Sequence, residues 1–326
     1  MVTTVMPPTG RRSEQAEYAL LQHLADGAVR SGRALGDELA LTRAGVARVV
    51  DRLRRKGLTV QALRGQGYRI PGGYSLLDRA VITRAWRATA VPPPDRAEVS
   101  YCPTSTSDLA MQASAAGVGV FAAEGQLAGR GRRGQTWQSP LGDIYLSVYY
   151  DFSRLPEVPA PVAVGVANAL AQALRAEGVQ LEVKWPNDLI QGGKKIGGIL
   201  TELRGEVTGP GRLVIGLGMQ QAPIAGTDRD RSGCVGRLGG TIAATVATFE
   251  ASGIRPLLAG WNRVDALYGR RVTTREGGER REGHVQGVDP GGRLLLSTPE
   301  GLEALSSATA FELREADGGP APGPRE

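Results

Sequence analysis

The sequence is poor in cysteine, histidine, lysine and aromatic residues, and these shortages exclude several kinds of site. Its 326 residues include two cysteines, Cys102 and Cys234, too few and too far apart for a disulfide framework or a paired zinc site. We expect both to be buried as small hydrophobic residues. The two histidines, His23 and His284, lie in segments typical of different domains, which argues against a Ser-His-Asp triad or a polyhistidine metal site.

Long apolar runs and two common catalytic motifs are also missing. No stretch approaches the ~18 apolar residues of a membrane span, and the first residues lack the apolar core of a signal peptide, so we expect a cytoplasmic protein without membrane contact. Neither GxxxxGK[ST] nor GxSxG occurs, which argues against a P-loop ATPase and an α/β-hydrolase. The length and the 41% hydrophobic content predict two or three globular domains.

The positive charge is unevenly distributed. The first 80 residues hold 13 Lys and Arg against seven acidic residues, an excess of six that equals the net charge of +6 for the whole chain. Any polyanionic partner should therefore be sought at the N-terminal segment, with a solvated charged face as the alternative. Only four of the 39 basic residues are lysines, and three of them, Lys184, Lys194 and Lys195, lie within twelve residues. This cluster indicates a site that needs a compact ammonium group.

The N-terminal segment has the pattern of a winged helix-turn-helix. Tyr18, Leu21 and Leu24 have helical spacing, a second helix is expected over 32–40, and Thr42 should cap a third that runs to Gly57. Its buried face would carry Val46, Val49, Val50 and Leu53, and its exposed face Ala44, Arg48, Asp51 and Arg55. Two strands with a Gly-rich turn at 64–67 follow as the wing. The expected DNA-binding residues are Arg43, Arg48, Arg55, Arg64 and Arg69. A three-helix packing domain is the alternative.

The rest of the chain alternates strand and helix patterns and then contains only strands. We expect an α/β (α+β) protein whose central mixed sheet precedes four short strands of a small SH3-like barrel. The expected boundaries are 1–75 for the winged helix-turn-helix, 80–266 for the central domain and 267–315 for the barrel. A disordered tail is expected over 316–326.

Two motifs in the central region can carry chemistry. The segment GRGRRG over 129–134 matches a dinucleotide fingerprint, but Trp137, Ser139, Pro140 and a strand follow it where that fingerprint needs a helix. It is better explained as a cationic flap that orders around a carboxylate or phosphate, with a solvated loop or a nucleic-acid-binding arm as alternatives. The segments KWPND (184–188) and KKIGGILTE (194–202) combine ammonium, carboxamide and carboxylate groups suited to phosphate and Mg²⁺.

Together these segments resemble the bifunctional biotin protein ligases that double as biotin operon repressors. The resemblance includes GQGYRIP, QLAGRGRRGQTWQSPLGDIYLS, KWPNDLI, KKIGGILTEL and VIGLG, in the family's order. It implies a central domain of the class II synthetase-like biotin ligase fold. It also implies a two-step reaction in which biotin and ATP, with Mg²⁺, give biotinyl-5′-AMP, and a carrier lysine then takes the biotin. The implied partners are the biotin carboxyl carrier protein of acetyl-CoA carboxylase, operator DNA and a second copy in a ligand-dependent homodimer.

The resemblance also implies a role for individual residues, grouped here by ligand. The expected biotin-binding residues are Ser105, Thr106, Ser107, Gln126, Arg130, Gly131, Arg132 and Lys195. The expected ATP-binding residues are Arg130, Arg132, Trp137, Lys184, Asn187 and Lys195. Arg132 and Lys195 are the expected catalytic residues, and Asp188 is the expected Mg²⁺ ligand.

The sequence departs from the family pattern at several positions. Gln220 stands where the family usually has Asn, Ser107 replaces another Asn, and residues 221–240 lack the aromatic residue expected over adenine. The last domain lacks the family's SGE-type strand start. Gln220 and the missing aromatic residue leave open a biotin-sensing transcriptional regulator with impaired ligase activity. A lipoate ligase, from the same fold superfamily, is a second alternative.

Overall fold

The helices and strands form an N-terminal helical module, a central mixed sheet and a C-terminal antiparallel sheet. The computed structural model describes residues 12–89, 91–154, 161–206, 209–220, 230–276, 279–306 and 311–313. The helices are α1 (Arg12–Leu24), α2 (Gly32–Leu39), α3 (Arg43–Arg55), α4 (Arg79–Arg87), α5 (Thr106–Gln112), α6 (Val162–Ala176), α7 (Arg231–Ser252) and α8 (Trp261–Val264). The strands are β1 (Gln61–Leu63), β2 (Gly67–Arg69), β3 (Arg96–Ser100), β4 (Val118–Ala123), β5 (Gly129–Arg130), β6 (Thr136–Trp137), β7 (Ile144–Phe152), β8 (Glu182–Lys184), β9 (Asp188–Gln191), β10 (Lys194–Gly205), β11 (Gly211–Met219), β12 (Arg271–Glu276), β13 (Glu279–Val288), β14 (Leu294–Thr298), β15 (Gly301–Leu305) and β16 (Phe311–Leu313).

The N-terminal module is the predicted winged helix-turn-helix. The Thr42 hydroxyl accepts the backbone N–H of Gly45 at 3.1 Å and so caps α3, as the sequence indicates. The four apolar residues predicted for the inner face of α3 are all buried. The antiparallel hairpin β1–β2 forms the wing, and Gly57 follows α3 with a φ of 90° that favours glycine.

The central domain has a seven-stranded sheet in the order β3-β4-β7-β11-β10-β9-β8. The pair β3–β4 is parallel and the other pairs are antiparallel, which confirms the expected mixed sheet. Side chains of α4, α6 and α7 join one large core with the sheet, whereas Ala110 of α5 packs with Phe121, Tyr149 and Val214 in a separate cluster. Helices therefore cover both faces, and the second face carries the site described below.

The segment TIAATVATFEASG, from residue 241, has the pattern of a helix, but α7 begins ten residues earlier, at Arg231. Helix α4 and strand β3 were not predicted. The early part of α7 is rich in glycine, which disfavours a helix by propensity. A Cβ at Gly239 would lie 2.9 Å from the Trp86 ring of α4, and one at Gly236 would collide with the Ile82 carbonyl. The two helices pack so closely that only glycine fits, and this contact overrides the local propensity.

The C-terminal sheet has the order β15-β14-β13-β12-β16. It contains one strand more than the four predicted, because Gly301–Leu305 pairs with β14 as a hairpin partner. Its core is formed by Val272, Val285, Leu294, Leu296 and Leu305.

The predicted domain boundaries remain predictions, and the expected tail over 316–326 lies outside the described residues. Within the described residues, no helix is long and apolar enough to cross a membrane.

Candidate active site

A cavity of about 360 Å³ lies between the central sheet, the N-terminus of α5 and the β5–β6 hairpin. All twelve residues predicted for the ligase site line it, although they are spread over 91 positions of the chain. They are Ser105, Thr106, Ser107, Gln126, Arg130, Gly131, Arg132, Trp137, Lys184, Asn187, Asp188 and Lys195. The fold therefore brings the flap and the two lysine-containing strands together, as the motifs predict.

One end of the cavity is lined by buried hydroxyl groups. Ser105 caps α5 by accepting the backbone N–H of Ser107 at 3.2 Å, and the start of this helix lines the cavity. The hydroxyls of Thr106 and Ser107 lie 2.8 Å and 3.1 Å from the hydroxyl of Ser147 on β7. Buried hydroxyls can reorient to donate or accept, which suits a neutral ligand group with both functions. Ser147 was not predicted; a lone serine within the apolar strand IYLSVYY was the available signal.

Gln126 completes this polar end. Its Oε1 accepts the backbone N–H of Thr106 at 2.8 Å, and its Nε2 donates to the Ser139 hydroxyl at 3.0 Å. Ser139 belongs to the SP pair behind the flap motif. The side chain of Gln126 thus fixes the α5 N-terminus to the segment that follows the flap.

The other end of the cavity is cationic. Lys195 on β10 has its Nζ 2.7 Å from Oδ1 of Asp188 and 5.3 Å from the centre of the Trp137 ring. Asn187 is buried and donates its Nδ2 to the Ile199 carbonyl at 2.8 Å. Its Oδ1 accepts from the Arg132 guanidinium at 3.0 Å. The turn KWPND therefore orients an amide towards the flap and a carboxylate towards a lysine.

Trp137 forms a wall of the cavity because two strands of the sheet carry glycine beneath it. A Cβ at Gly218 would lie 2.5 Å from the indole nitrogen, and one at Gly198 would lie 3.4 Å from the ring. The glycines in KKIGGIL and VIGLG thus make room for the indole. Trp137 was predicted for the site, whereas Gly198 and Gly218 were not assigned a role.

The flap is the hairpin of residues 129–137, formed by β5, a turn over Arg132–Gly134 and β6. Arg133 at its tip has a φ of 57°, a left-handed conformation that is uncommon for arginine. Burial, together with the charge of Arg133, lowers the pKa of Arg132, and Asp188 opposes this shift. The guanidinium of Arg130 pairs with two carboxylates, Asp108 and Glu202, neither of which was predicted.

The donors around Asp188 fit a magnesium ion only when the ion is also held by phosphates. No cluster of three His, Cys, Asp or Glu side chains that could hold a metal occurs in the described ranges. Mg²⁺ usually binds through one or two carboxylates together with substrate phosphates, and a single carboxylate beside a lysine is compatible with that arrangement.

The residues predicted to bind DNA lie on the winged helix-turn-helix. Arg43, Arg48, Arg55 and Arg64 are exposed and make no ion pair with any residue that the structure describes. Arg69 differs, because it is partly buried and its Nε donates to Oε1 of Gln61 at 2.8 Å. The four exposed guanidinium groups are thus available to an anionic partner.

Models of known protein families match three segments of the chain. The model of the Biotin/lipoate A/B protein ligase family matches residues 100–220, that of an HTH domain matches 17–69, and that of the Biotin protein ligase C terminal domain matches 268–311. The "Bifunctional ligase/repressor BirA" of Salmonella typhimurium is 32% identical over 299 residues, covering 85% of this chain and 91% of the relative. The chain belongs to the BirA family of bifunctional ligase/repressors. The resemblance drawn from the sequence motifs is confirmed.

Other BirA-family and biotin ligase proteins agree with this assignment. The BirA protein of Escherichia coli is 31% identical over 297 residues, covering 85% of this chain and 91% of the relative. The solved structure of a "Biotin protein ligase from Aquifex aeolicus in complex with biotin and ATP" matches with a TM-score of 0.55 and 22% identity, covering 68% of this chain and all of that one. That structural match supports the fold of the ligase region.

Proposed function

We propose that this protein is an ATP-dependent biotin protein ligase that also represses the transcription of biotin genes. The observation that carries the ligase assignment is the two-ended cavity. Buried hydroxyls and Gln126 at one end suit the ureido ring of biotin, and Lys195 and Arg132 at the other end suit its carboxylate. A ligand with a polar neutral head and a carboxylate tail matches both ends at once.

In the first step, an oxygen of the biotin carboxylate attacks the α-phosphorus of ATP, and pyrophosphate leaves. The carboxylate and the triphosphate repel each other by roughly 4 kcal/mol per pair of unit charges at about 4 Å and an effective dielectric of about 20. Lys195 and Arg132 offset this repulsion where the charges meet, while Lys184 and Asn187 face the phosphates. Mg²⁺, with Asp188 as its protein ligand, would neutralise further phosphate charge. No protein nucleophile is needed.

In the second step, the ε-amine of a lysine on the carrier attacks the carbonyl of the mixed anhydride. An amide forms, AMP leaves, and the amine loses a proton. The flap, with Arg130 and Gly131 over the bound adenylate and Trp137 at its base, would keep water away from the anhydride until the carrier lysine arrives. The carrier is the biotin carboxyl carrier protein of acetyl-CoA carboxylase.

The winged helix-turn-helix supports the repressor activity. Its recognition helix α3 would lie in the major groove, with Arg43, Arg48 and Arg55 on that helix and Arg64 and Arg69 in the wing. One such module reads a half-site, so a homodimer whose formation depends on the ligand would bind a two-fold operator in the cytoplasm.

The ligase assignment is tested by transfer of radiolabelled biotin from Mg·ATP reactions to an apo carrier domain. We expect labelling by the unmodified protein, and a fall in kcat/KM of about 100-fold or more for Lys195→Gln, since a charge-stabilising donor at a reaction centre contributes roughly 3 kcal/mol. Lys194→Gln is the matched control, because Lys194 is the exposed neighbour outside the cavity.

Two outcomes would redirect the assignment. Biotin binding by folded protein without pyrophosphate release would favour the biotin-sensing regulator. The position of Gln220 motivates that alternative; its backbone N–H bonds the Ile196 carbonyl at 2.7 Å, next to the lysine strand. Transfer of lipoate in place of biotin would instead identify a lipoate ligase.

A further inference from the structure

Of the three flap arginines that line the cavity, Arg130 pairs with carboxylates and Arg132 with a neutral amide. The guanidinium of Arg130 donates to both oxygens of Asp108, at 2.6 Å and 3.1 Å, and contacts Oε1 of Glu202 at 3.4 Å. Arg132 donates to Oδ1 of Asn187, a neutral amide. Two carboxylates thus pair directly with Arg130, while Arg132 makes no ion pair with a described carboxylate at hydrogen-bond distance and keeps more of its charge for an anion in the cavity.

The carboxylates of Asp108 and Glu202 belong to α5 and β10, and other residues of both elements line the cavity. Asp108 lies in the first turn of α5, directly after the three residues of the hydroxyl end, and Glu202 lies on β10 beyond Lys195. The flap itself is short: β5 and β6 pair through only two residue pairs, Gly129 with Trp137 and Arg130 with Thr136. A two-stranded hairpin of this length has little stability of its own, so its position depends on such side-chain anchors.

We propose that Asp108 and Glu202 are positioning residues that hold the flap over the cavity through the Arg130 side chain. The guanidinium of Arg130 then serves as a fixed anchor, and Arg132 is the flap cation that meets the ligand. Because Asp108 follows the hydroxyl residues on α5, any rearrangement of that turn by a bound acid is transmitted to the flap. The catalytic part of this inference rests on the proposed ligase function, whereas the anchoring of the flap does not.

Anchoring is tested first on the ligand-free protein, by the rate of trypsin cleavage after Arg132 and Arg133, followed by mass spectrometry. We expect Asp108→Asn to raise this rate about three- to tenfold, as expected for removal of a bidentate but partly exposed pair, and Asp108→Asn with Glu202→Gln to raise it further.

Glu177→Gln is the matched control for the trypsin experiment. Glu177 also pairs with two nitrogens of an arginine, Arg237, at 3.0 Å and 3.2 Å and with similar exposure, but on elements outside the cavity. Flap cleavage should stay at the original rate in this variant. Equal cleavage rates for Asp108→Asn and the unmodified protein would overturn the anchoring role.

The catalytic consequence is tested by a double-mutant cycle on the retention of the biotinyl adenylate after a single turnover. We expect Asp108→Asn and Arg130→Gln each to speed its dissociation about three- to tenfold, and the double variant to be no faster than the Arg130→Gln variant, because both remove the same ion pair. For Asp108→Asn, the rate of adenylate formation at saturating biotin and ATP should change less than about twofold.

The outcomes separate the positioning role from the proposed function. A large fall in the formation rate for Arg130→Gln, with Asp108→Asn unaffected, would show that the Arg130 side chain contacts the reacting groups and would overturn the inference. Effects of the two substitutions that simply add would also overturn it. If the unmodified protein forms no adenylate, the proposed function fails, while the trypsin experiment still decides whether the carboxylates hold the flap.

Discussion

At the scale of single residues, burial controls the chemistry of both cysteines. It raises the pKa of Cys102 to about 11, with Lys56 opposing the shift, and raises the pKa of Cys234 to about 12. Cys234 is almost fully buried, as predicted, whereas Cys102 is only partly so. Since the thiolate is the reactive form, both residues behave as small apolar side chains and neither can act as a nucleophile near neutral pH.

We therefore predict that neither cysteine is alkylated by iodoacetamide at pH 8 while the protein is folded. At that pH about one Cys102 thiol in a thousand is ionised, and the reaction rate should rise roughly tenfold per pH unit up to about pH 11. Mass spectrometry of native and urea-unfolded samples provides the measurement, with Cys102→Ser identifying the site. Rapid labelling of native protein at Cys102 would contradict this assignment of the thiol.

The family resemblance predicted the residues that line the cavity but not their supporting contacts. Arg132 and Lys195 belong to segments whose composition by itself indicates an anion site, whereas Ser105 was expected from the resemblance alone. Asp108 lies in an ordinary helical turn and Glu202 at the end of the KKIGGILTE motif, 94 positions apart, and nothing local marks them as partners of Arg130. Pairings across the fold depend on sheet order and side-chain direction, which composition does not encode.

At the scale of elements, a buried charge cluster joins the winged helix-turn-helix to the ligase domain. Glu17 of α1 is only 3% exposed, and its carboxylate meets Arg52 at 2.6 Å and Lys56 at 2.7 Å, both from the end of α3. The Tyr101 hydroxyl, from the loop between β3 and α5, donates to the same carboxylate at 3.2 Å. Lys56, the one lysine outside the ligase motifs, thus lies in the contact between the two domains.

We predict that Glu17→Ala destabilises this contact by about 3 kcal/mol, because it leaves the partly buried Arg52 and Lys56 cations without their carboxylate. Urea unfolding, followed by far-UV circular dichroism, should show a transition at lower urea concentration. Glu38→Ala is the control: Glu38 pairs with His23 at the surface, and its removal should cost less than about 0.5 kcal/mol. Equal effects of the two substitutions would mean that the cluster contributes no stability.

Element boundaries were predictable where caps and apolar spacing act locally, and were missed where packing decides. Thr42 begins α3 and its apolar face is buried, as the sequence predicts. Helix α4 carries only two buried side chains, Ile82 and Trp86, among arginines, so its periodicity is weak until α7 packs on it. The early start of α7 depends on that same packing.

At the scale of the whole molecule, the charge excess of the first 80 residues and the exposed arginines of the winged helix-turn-helix coincide. Cations near the cavity are largely balanced by carboxylates such as Asp188 and Asp108, whereas Arg43, Arg48 and Arg64 have no acidic partner in the portion described. The distribution of net charge therefore indicates the DNA-binding module. It does not indicate the ligase site, where positive and negative charges nearly cancel; there the lysine cluster is the signal.

The exposed arginines of the winged helix-turn-helix that lack a described acidic partner are predicted to determine the salt dependence of DNA binding. Replacing Arg43, Arg48 and Arg64 by Gln should lower the slope of log K against log salt, for a short duplex of arbitrary sequence, by about 0.9 for each phosphate that the protein no longer neutralises. The matched control replaces Arg79, Arg84 and Arg87 of α4, which are equally exposed, have no described acidic partner and lie outside the module. Biotin transfer should stay within about twofold in both variants. An equal fall in DNA affinity for the two variants would mean that binding follows net charge rather than the winged helix-turn-helix.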